Sequence, residues 1–366
     1  MSAYDRVPVI IPSYNPDEKL CATVQALQAA GFSDIILVDD GSRDDTKLYF
    51  PPEGNGVTLL RHEVNRGKGA GLKTAFRYIL EHRPDALGCV TADGDGQHRT
   101  ADIAACVEEM LGHPDSIVLG VRDFSLPDVP ARSRAGNRFT CGVFRVLFGM
   151  RISDTQTGLR AFPRQTLAGL LTVRGERYEY ETNMLLHMKQ AQIPFREVSI
   201  ATVYLDDNAT SHFRPVRDSL RVYGMIIAFA LSSAASFAVD LLLFLLFRFF
   251  LFPRLGLPET LLYALSYAAA RLCSATVNYL LNRNVVFHGG GRHTVWRYAA
   301  TALCILAISA TVGQVFARLI PENLKYLETV LKLLLDALLF LCSFRLQHQW
   351  VFKTPHGTSG SAGTPQ

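Results

Sequence analysis

A break in composition near Tyr223 constrains this 366-residue chain more than any single motif does. Before it, charges and turn residues interrupt short apolar segments. After it, apolar stretches run at roughly 222 to 250, 259 to 281, 298 to 320 and 326 to 344. Each is long enough to cross a hydrocarbon core of about 30 Å as a helix. The mean hydropathy of +0.14 thus averages two unlike halves. The expected organisation is a soluble domain over 1–221, a membrane domain over 222–353 and a disordered, polar tail over 354–366. No apolar leader precedes the first strand, so the soluble half is expected in the cytosol.

The first half alternates strand and helix signals. Val7 to Ile11, Ile35 to Val38, Val57 to Leu60, Leu87 to Thr91 and Ile117 to Gly120 are short apolar runs. Helical patterns from Glu18 to Ala30, Gly69 to His82 and Ile103 to Leu111 lie between them. That order predicts an α/β fold whose mostly parallel sheet is covered on both faces. Ligands of such sheets bind beyond the carboxyl ends of the strands. Polar clusters fall there: Tyr14 after the first strand, Asp39 and Asp40 after the second, Asp93 and Asp95 after the fourth. Their recurrence at successive strand ends marks a site.

In Asp93-Gly94-Asp95-Gly96-Gln97-His98, three oxygen-bearing side chains alternate and can point one way. A hard divalent cation, Mg²⁺ or Mn²⁺, takes one or two carboxylates and completes its shell with water and substrate phosphate. An aromatic ring such as Tyr14 can cover a base, and carboxylates can accept hydrogen bonds from base or ribose. A formal charge of +4 with no basic, aromatic-interleaved stripe argues against a nucleic-acid partner. The seven cysteines show no zinc or disulfide spacing.

Four ordered motifs carry a resemblance over the first 220 or so residues: Pro12-Ser13-Tyr14-Asn15, Val38-Asp39-Asp40-Gly41-Ser42, Asn65-Arg66-Gly67-Lys68-Gly69 and Asp93 to His98. They resemble the family 2 glycosyltransferases, in the branch of dolichyl-phosphate mannose synthase and bacterial polyprenyl-phosphate glycosyltransferases. The resemblance implies a GT-A fold, a UDP- or GDP-linked sugar donor, a metal-dependent inverting displacement and a polyprenyl (undecaprenyl or dolichyl) phosphate acceptor, serving cell-envelope glycan modification. It places Pro12, Tyr14, Asp39 and Asp40 near the nucleoside, and Asp93, Asp95 and Gln97 around the metal and diphosphate, with Asp95 foremost. The family's Glu after Tyr-Asn is replaced by Pro16. Lys68 stands in a glycine-flanked anion loop or simply at a helix start.

Asp154-Thr155-Gln156-Thr157-Gly158-Leu159-Arg160 is similar to the family's acceptor-side segment. Arginine grips phosphate bidentately, which makes Arg160, with Arg132 and Arg134 upstream, a candidate for the lipid phosphate. Glu181, with Glu179 in a segment before a helix, could orient the acceptor. Phe139 to Phe148 has an apolar face that suits either core or membrane surface. Where the mannose synthases carry a basic closing segment, this chain reads Asp206 to Phe213, with His212 in place of lysine. That leaves a UDP-sugar at least as plausible as GDP-mannose.

The second half repeats itself. Asn278 to Phe287 aligns with Ser343 to Phe352, as in two tandem hairpins. It resembles the GtrA family of four-helix membrane proteins, proposed to help move lipid-linked sugars. Lys and Arg flank one face, so both ends are expected in the cytosol. Asp240, Arg271, Lys332 and Asp336 fall within the stretches, where charges call for partners. Expected partners are the sugar nucleotide, polyprenyl phosphate and the bilayer, with self-association left open. Competing readings are a processive polysaccharide synthase, which normally carries a Gln-x-x-Arg-Trp motif absent here, and a lipid-linked sugar transporter whose soluble half only binds a nucleotide sugar.

Overall fold

A computed structural model describes residues 3–126, 129–201, 224–256, 258–287, 291, 293–319 and 325–352. The segment from Asp206 to Phe213, the arginines at 214, 217 and 221, the tail, and the side chains of Arg132 and Lys332 lie outside the described residues. The chain divides into two compact units, Met1–Val222 and Tyr223–Gln366.

The first unit runs β1 (Val9–Ser13), α1 (Glu18–Ala29), β2 (Ile35–Asp39), β3 (Val57–Arg61), α2 (Lys68–His82), β4 (Gly88–Thr91), α3 (Thr100–Gly112), β5 (Ile117–Arg122), α4 (Ala131–Val143), β6 (Arg160–Pro163), α5 (Arg164–Leu171), α6 (Glu179–Gln190) and β7 (Phe195–Ile200). Its seven strands order as β3-β2-β1-β4-β6-β5-β7. All neighbours are parallel except β6, which is antiparallel to β4 and β5. Val9, Ile10, Ile11, Cys89, Val90 and residues 35 to 38 are wholly buried, because helices cover both faces of these strands.

Two strands escape the sequence pattern. β6 is four residues bounded by Arg160 and Pro163, and β7 is an edge strand, Phe195-Arg196-Glu197-Val198-Ser199-Ile200, with three exposed polar positions. Neither offers an apolar run. Glu179 and Glu181 stand in the first turn of α6 rather than before it, where they face the positive end of the helix dipole.

The sheet opens a space at its C-terminal edge. β4 pairs with β1 only at Val9↔Val90 and Ile10↔Thr91, then leaves the sheet toward Asp93. Pro12 therefore sits where no strand needs its missing N–H on that side. Asp17 caps α1 by accepting the Lys19 amide at 2.9 Å.

The second unit holds α7 (Gly224–Leu245), α8 (Glu259–Leu281), α9 (Thr294–Leu319) and α10 (Lys325–Leu346). Among the described residues one stretch, Ile227–Leu255, is long and apolar enough to cross a membrane. Leu242, Phe250, Leu272 and Leu333 point outward, a burial pattern that a lipid surround satisfies and water does not. The described charged side chains of these helices have partners. Asp240 accepts from the Ser274 hydroxyl at 2.9 Å and pairs with Arg271 at 3.4 Å. Asp336 accepts from Ser309 at 3.3 Å.

The repeat seen in the sequence becomes physical contact. After α8 and α10 the chain makes matching π-helical turns, Asn282–Val286 and Gln347–Val351. The aligned residues Asn282 and Gln347 meet, Asn282 Nδ2 donating to Gln347 Oε1 at 2.9 Å. Ser232 donates to Asn282 Oδ1 at 2.5 Å, and Asn282 Nδ2 also reaches Asn278 Oδ1 at 2.9 Å. Asn282 is completely buried. Asn282→Leu would strand the buried Gln347 Oε1, whereas the Ser232 hydroxyl keeps the Phe229 carbonyl at 2.9 Å, so the expected cost is about 1–3 kcal/mol. Thermal unfolding in detergent is expected to shift down by several degrees, and an unchanged transition would contradict the network's role.

Candidate active site

Each part of the rim is fixed by a neighbouring loop. After β1, Asn15 takes a left-handed conformation (φ 49°) and its Oδ1 accepts the Arg43 amide at 2.9 Å, while its own N–H donates to Ser42 Oγ at 2.9 Å. The loops after β1 and β2 are thereby tied together, with Tyr14 half-buried at their junction. Asp39 is buried and its Oδ1 accepts the Ser42 amide at 2.9 Å.

Asp40 faces the interior. Its Oδ1 accepts from His62 Nδ1 at 2.7 Å and from the Arg66 amide at 2.9 Å, and its Oδ2 accepts the Gly67 amide at 2.7 Å. It builds the loop that presents Lys68. Gly41 serves the same junction: it adopts φ +70°, and a Cβ there would lie 2.4 Å from the Val64 carbonyl carbon.

Lys68, the first residue of α2, lies between two carboxylates, with Nζ 2.8 Å from Asp93 Oδ1 and 3.0 Å from Glu181 Oε1. Burial disfavours the Lys68 charge, but Asp93 and Glu181 outweigh it and raise the ammonium well above its ordinary value. Burial likewise opposes the charge of Asp93, yet Lys68 and His98 prevail and hold that carboxyl down at about 2. Burial pushes the Asp95 carboxyl up, and the negative Asp93 beside it adds to the rise. Asp95 Oδ1 accepts the Gln97 amide at 3.1 Å, which closes the turn.

The Asp154 to Arg160 segment forms the opposite wall. Thr91 Oγ1 donates to the Gly158 carbonyl at 2.8 Å, and a Cβ on Gly158 would lie 2.6 Å from Asp93 Oδ2 and 2.9 Å from Lys68 Nζ. A side chain here would displace the Asp93 carboxylate and the Lys68 ammonium from their present positions. Asp154 is fully buried and takes a forked pair from Arg122, Nε at 2.7 Å and Nη2 at 3.2 Å. Arg160 lies beneath the site rather than on its surface. It is 1% exposed, with Nε donating to the Thr157 carbonyl at 3.0 Å and Nη1 to the Glu181 carbonyl at 2.8 Å. Arg134, on α4, turns Nη2 onto the Leu126 and Val129 carbonyls at 3.0 and 3.2 Å.

The structure thus brings Lys68, Asp93 and Glu181 into one charged cluster, with Asp95 and Gln97 in the adjoining turn. His62, Arg122 and Asp154 act as supports, of which the sequence marks only Asp154, as the head of its motif. An Arg ending β5 and an Asp opening the Asp154 motif are the signal that could have paired the last two. Among the described residues no three His, Cys, Asp or Glu side chains converge on one point. The donor set is hard oxygen from two carboxylates. That fits Mg²⁺ or Mn²⁺ completed by water and diphosphate, and not a fully protein-coordinated ion.

Asp93 sets an acid limit on stability. Its folded value near 2 lies below the unfolded value of about 3.9, so its contribution is fully present above about pH 4 and is lost as pH falls toward 2. Melting profiles should decline more steeply across that window in the native chain than in Lys68→Met, which lacks the partner. Parallel profiles would contradict the pairing.

A mostly parallel sheet with carboxylates gathered at the ends of β2 and β4 defines a GT-A-like α/β protein. Comparison with known proteins makes the class specific. Residues 9–171 match glycosyl transferase family 2, and residues 213–355 match the GtrA/DPMS transmembrane domain. The chain is 31% identical over 217 residues to the UDP-N-acetylglucosamine--dolichyl-phosphate N-acetylglucosaminyltransferase of Methanococcus voltae, covering 54% of this chain and 86% of that protein. It is 27% identical over 214 residues to the undecaprenyl-phosphate mannosyltransferase of Micrococcus luteus, covering 55% and 84%. With the dolichyl-phosphate beta-glucosyltransferase of Dictyostelium discoideum it shares 29% over 245 residues, covering 58% and 72%. The chain belongs to glycosyl transferase family 2 and carries a GtrA/DPMS transmembrane domain.

Proposed function

We propose that this protein transfers a sugar from a nucleoside-diphosphate sugar to a polyprenyl phosphate at the cytosolic face of a membrane, with inversion at the sugar. The observation that carries the reading is the Asp93–Asp95 pair at the end of β4, faced by Lys68 and Glu181. Relatives whose names specify dolichyl or undecaprenyl phosphate acceptors support the choice of lipid. We assign the transferase to residues 1–221 and membrane attachment to 222–353. Four helices cross the bilayer in this reading, and both chain ends are cytosolic.

A lipid monophosphate has a second pKa of about 6, so at neutral pH much of it is already a dianionic nucleophile and needs no strong base. The harder task is to stabilise the departing nucleoside diphosphate, whose charge grows in the transition state. Asp93, Asp95 and Gln97 would hold a Mg²⁺ or Mn²⁺ ion, which when bound neutralises that charge. Lys68 supplies a second positive charge, and Tyr14, Pro12 and Asp39 line the nucleoside edge. Asp40 contributes by fixing the Lys68 loop. Arg160 orients the backbone of Glu181 and of the Gly158 wall from below, Glu181 steers the acceptor, and Arg132 and Arg134 on α4 meet the lipid phosphate.

The test is incubation of the purified protein with polyprenyl phosphate, Mg²⁺ or Mn²⁺ and a panel of labelled UDP- and GDP-sugars. A labelled, organic-soluble glycolipid from one donor is the expected product. Absence of transfer from every donor would sink the reading and favour a transporter whose soluble half only binds nucleotide sugar.

A further inference from the structure

The segment that presents Lys68 is held by a buried chain of side chains that never reaches the site surface. His62 follows β3, and its backbone N–H donates to the Asp39 carbonyl at 2.8 Å. Its ring touches two partners, Asp40 Oδ1 from Nδ1 at 2.7 Å and Thr74 Oγ1 from Nε2 at 2.9 Å. The side chains of His62 and Asp40 are each 5% exposed. Asp40 in turn collects the amides of Arg66 and Gly67. Gly67 precedes α2 with φ +108° and offers no side chain to the first turn, whose Ala70 amide is met by the Glu176 carbonyl at 2.8 Å, while Asp40 holds the two amides that lead into the helix. Thr74 lies about two turns further along the same helix.

We propose that His62 is a positioning residue for sugar transfer: through Asp40 and Thr74 it locks the start of α2 so that the Lys68 ammonium is held ready for the donor diphosphate. The inference rests on the proposed function, in which Lys68 faces the donor. The proton assignment follows from the partners. A carboxylate can only accept, so Nδ1 carries hydrogen, and in the neutral ring Nε2 accepts from the Thr74 hydroxyl. The ring is then fixed at both ends, by a loop and by the helix that the loop starts. Displacing a charged group by about 1 Å costs on the order of 100-fold in rate, so a rigid support of this kind has a measurable effect without touching substrate.

The test combines kinetics with amide hydrogen exchange on the full-length protein in detergent. His62→Leu removes both contacts, His62→Asn restores a donor toward Asp40, and Thr74→Val removes only the second contact. His62→Leu is expected to lower kcat/KM for the nucleotide sugar about 10- to 100-fold, leave KM for polyprenyl phosphate within about twofold, and speed exchange at the Arg66 and Gly67 amides. His62→Asn should recover most of both effects. In a Lys68→Met background, adding His62→Leu should cost less than about twofold more, because both act through one ammonium. Losses that multiply in the double variant, or His62→Leu with native donor kinetics and exchange, would overturn the proposal. Should His62→Leu fail to fold, Thr74→Val decides: it must speed Arg66 and Gly67 exchange and weaken donor use selectively, and native values overturn the proposal. If the native protein transfers no sugar, the proposed function fails, while unchanged exchange in His62→Leu or Thr74→Val separately removes the anchoring role.

Discussion

Asp95→Ala is expected to lower kcat by about 10³-fold while KM for the nucleotide sugar changes far less, because its target is charge that develops only as the diphosphate departs. The Asp95 carboxyl is pushed up by burial and by Asp93, so the folded protein holds two carboxylates in mutual repulsion at the end of β4. Such an arrangement is disfavoured by itself and relieved by a cation. Removing Asp95 leaves Asp93 paired with Lys68, so the fold should persist and the melting temperature should hold or rise slightly. Steady-state kinetics at saturating metal, alongside circular dichroism, separates the two effects. A fall in kcat matched by loss of structure would contradict the assignment, as would native turnover.

Lys68→Met should act on both activity and stability. The ammonium bridges Asp93 at 2.8 Å and Glu181 at 3.0 Å, and the three side chains are 18%, 32% and 14% exposed respectively for Lys68, Asp93 and Glu181. Methionine keeps the aliphatic length but leaves two carboxylates facing each other with no counter-charge. Losing one partner of a largely buried ion pair costs about 3 kcal/mol, and here the lost partner serves two acids. Unfolding in denaturant should therefore move to lower concentration, and added Mn²⁺ with nucleoside diphosphate should restore part of the loss by supplying a cation. Turnover should fall by at least about 100-fold. Stability equal to that of the native protein would show that the bridge is not a net contributor.

The strands that build the rim were legible because they are buried on both faces: Val9 to Ile11, residues 35 to 38 and the Cys89–Val90 pair are continuous apolar runs ending in polar turns. The topology on the far side was not. β6 carries a buried arginine, whose Nε and Nη1 are met by the Thr157 and Glu181 carbonyls while Nη2 has no hydrogen-bond partner among the described residues, and no local pattern announces such an arrangement. β7 is an edge strand with exposed Arg196 and Glu197, so alternation is faint. Within the site, residue types at strand ends pointed to a cation and a nucleotide. The division of labour between neighbours needed three dimensions. Asp39 and Asp40 look equivalent in sequence, yet the pleat turns Asp40 toward His62 and the Arg66 and Gly67 amides. Lys68 read equally well as an anion loop or a helix start, and its contact with two acids decides for a place in the charged cluster. In the second unit the aligned ends foretold a repeat, and the Asn282–Gln347 hydrogen bond shows the repeat meeting itself.

The most direct measurement of the central claim is a Mn²⁺ titration followed by electron paramagnetic resonance, with and without a nucleoside diphosphate, on the native protein and on Asp95→Ala. Saturable binding of Mn²⁺ that strengthens with nucleotide and is lost in Asp95→Ala is the predicted result. Binding that is indifferent to nucleotide, or undiminished by Asp95→Ala, would contradict a cation held at this rim.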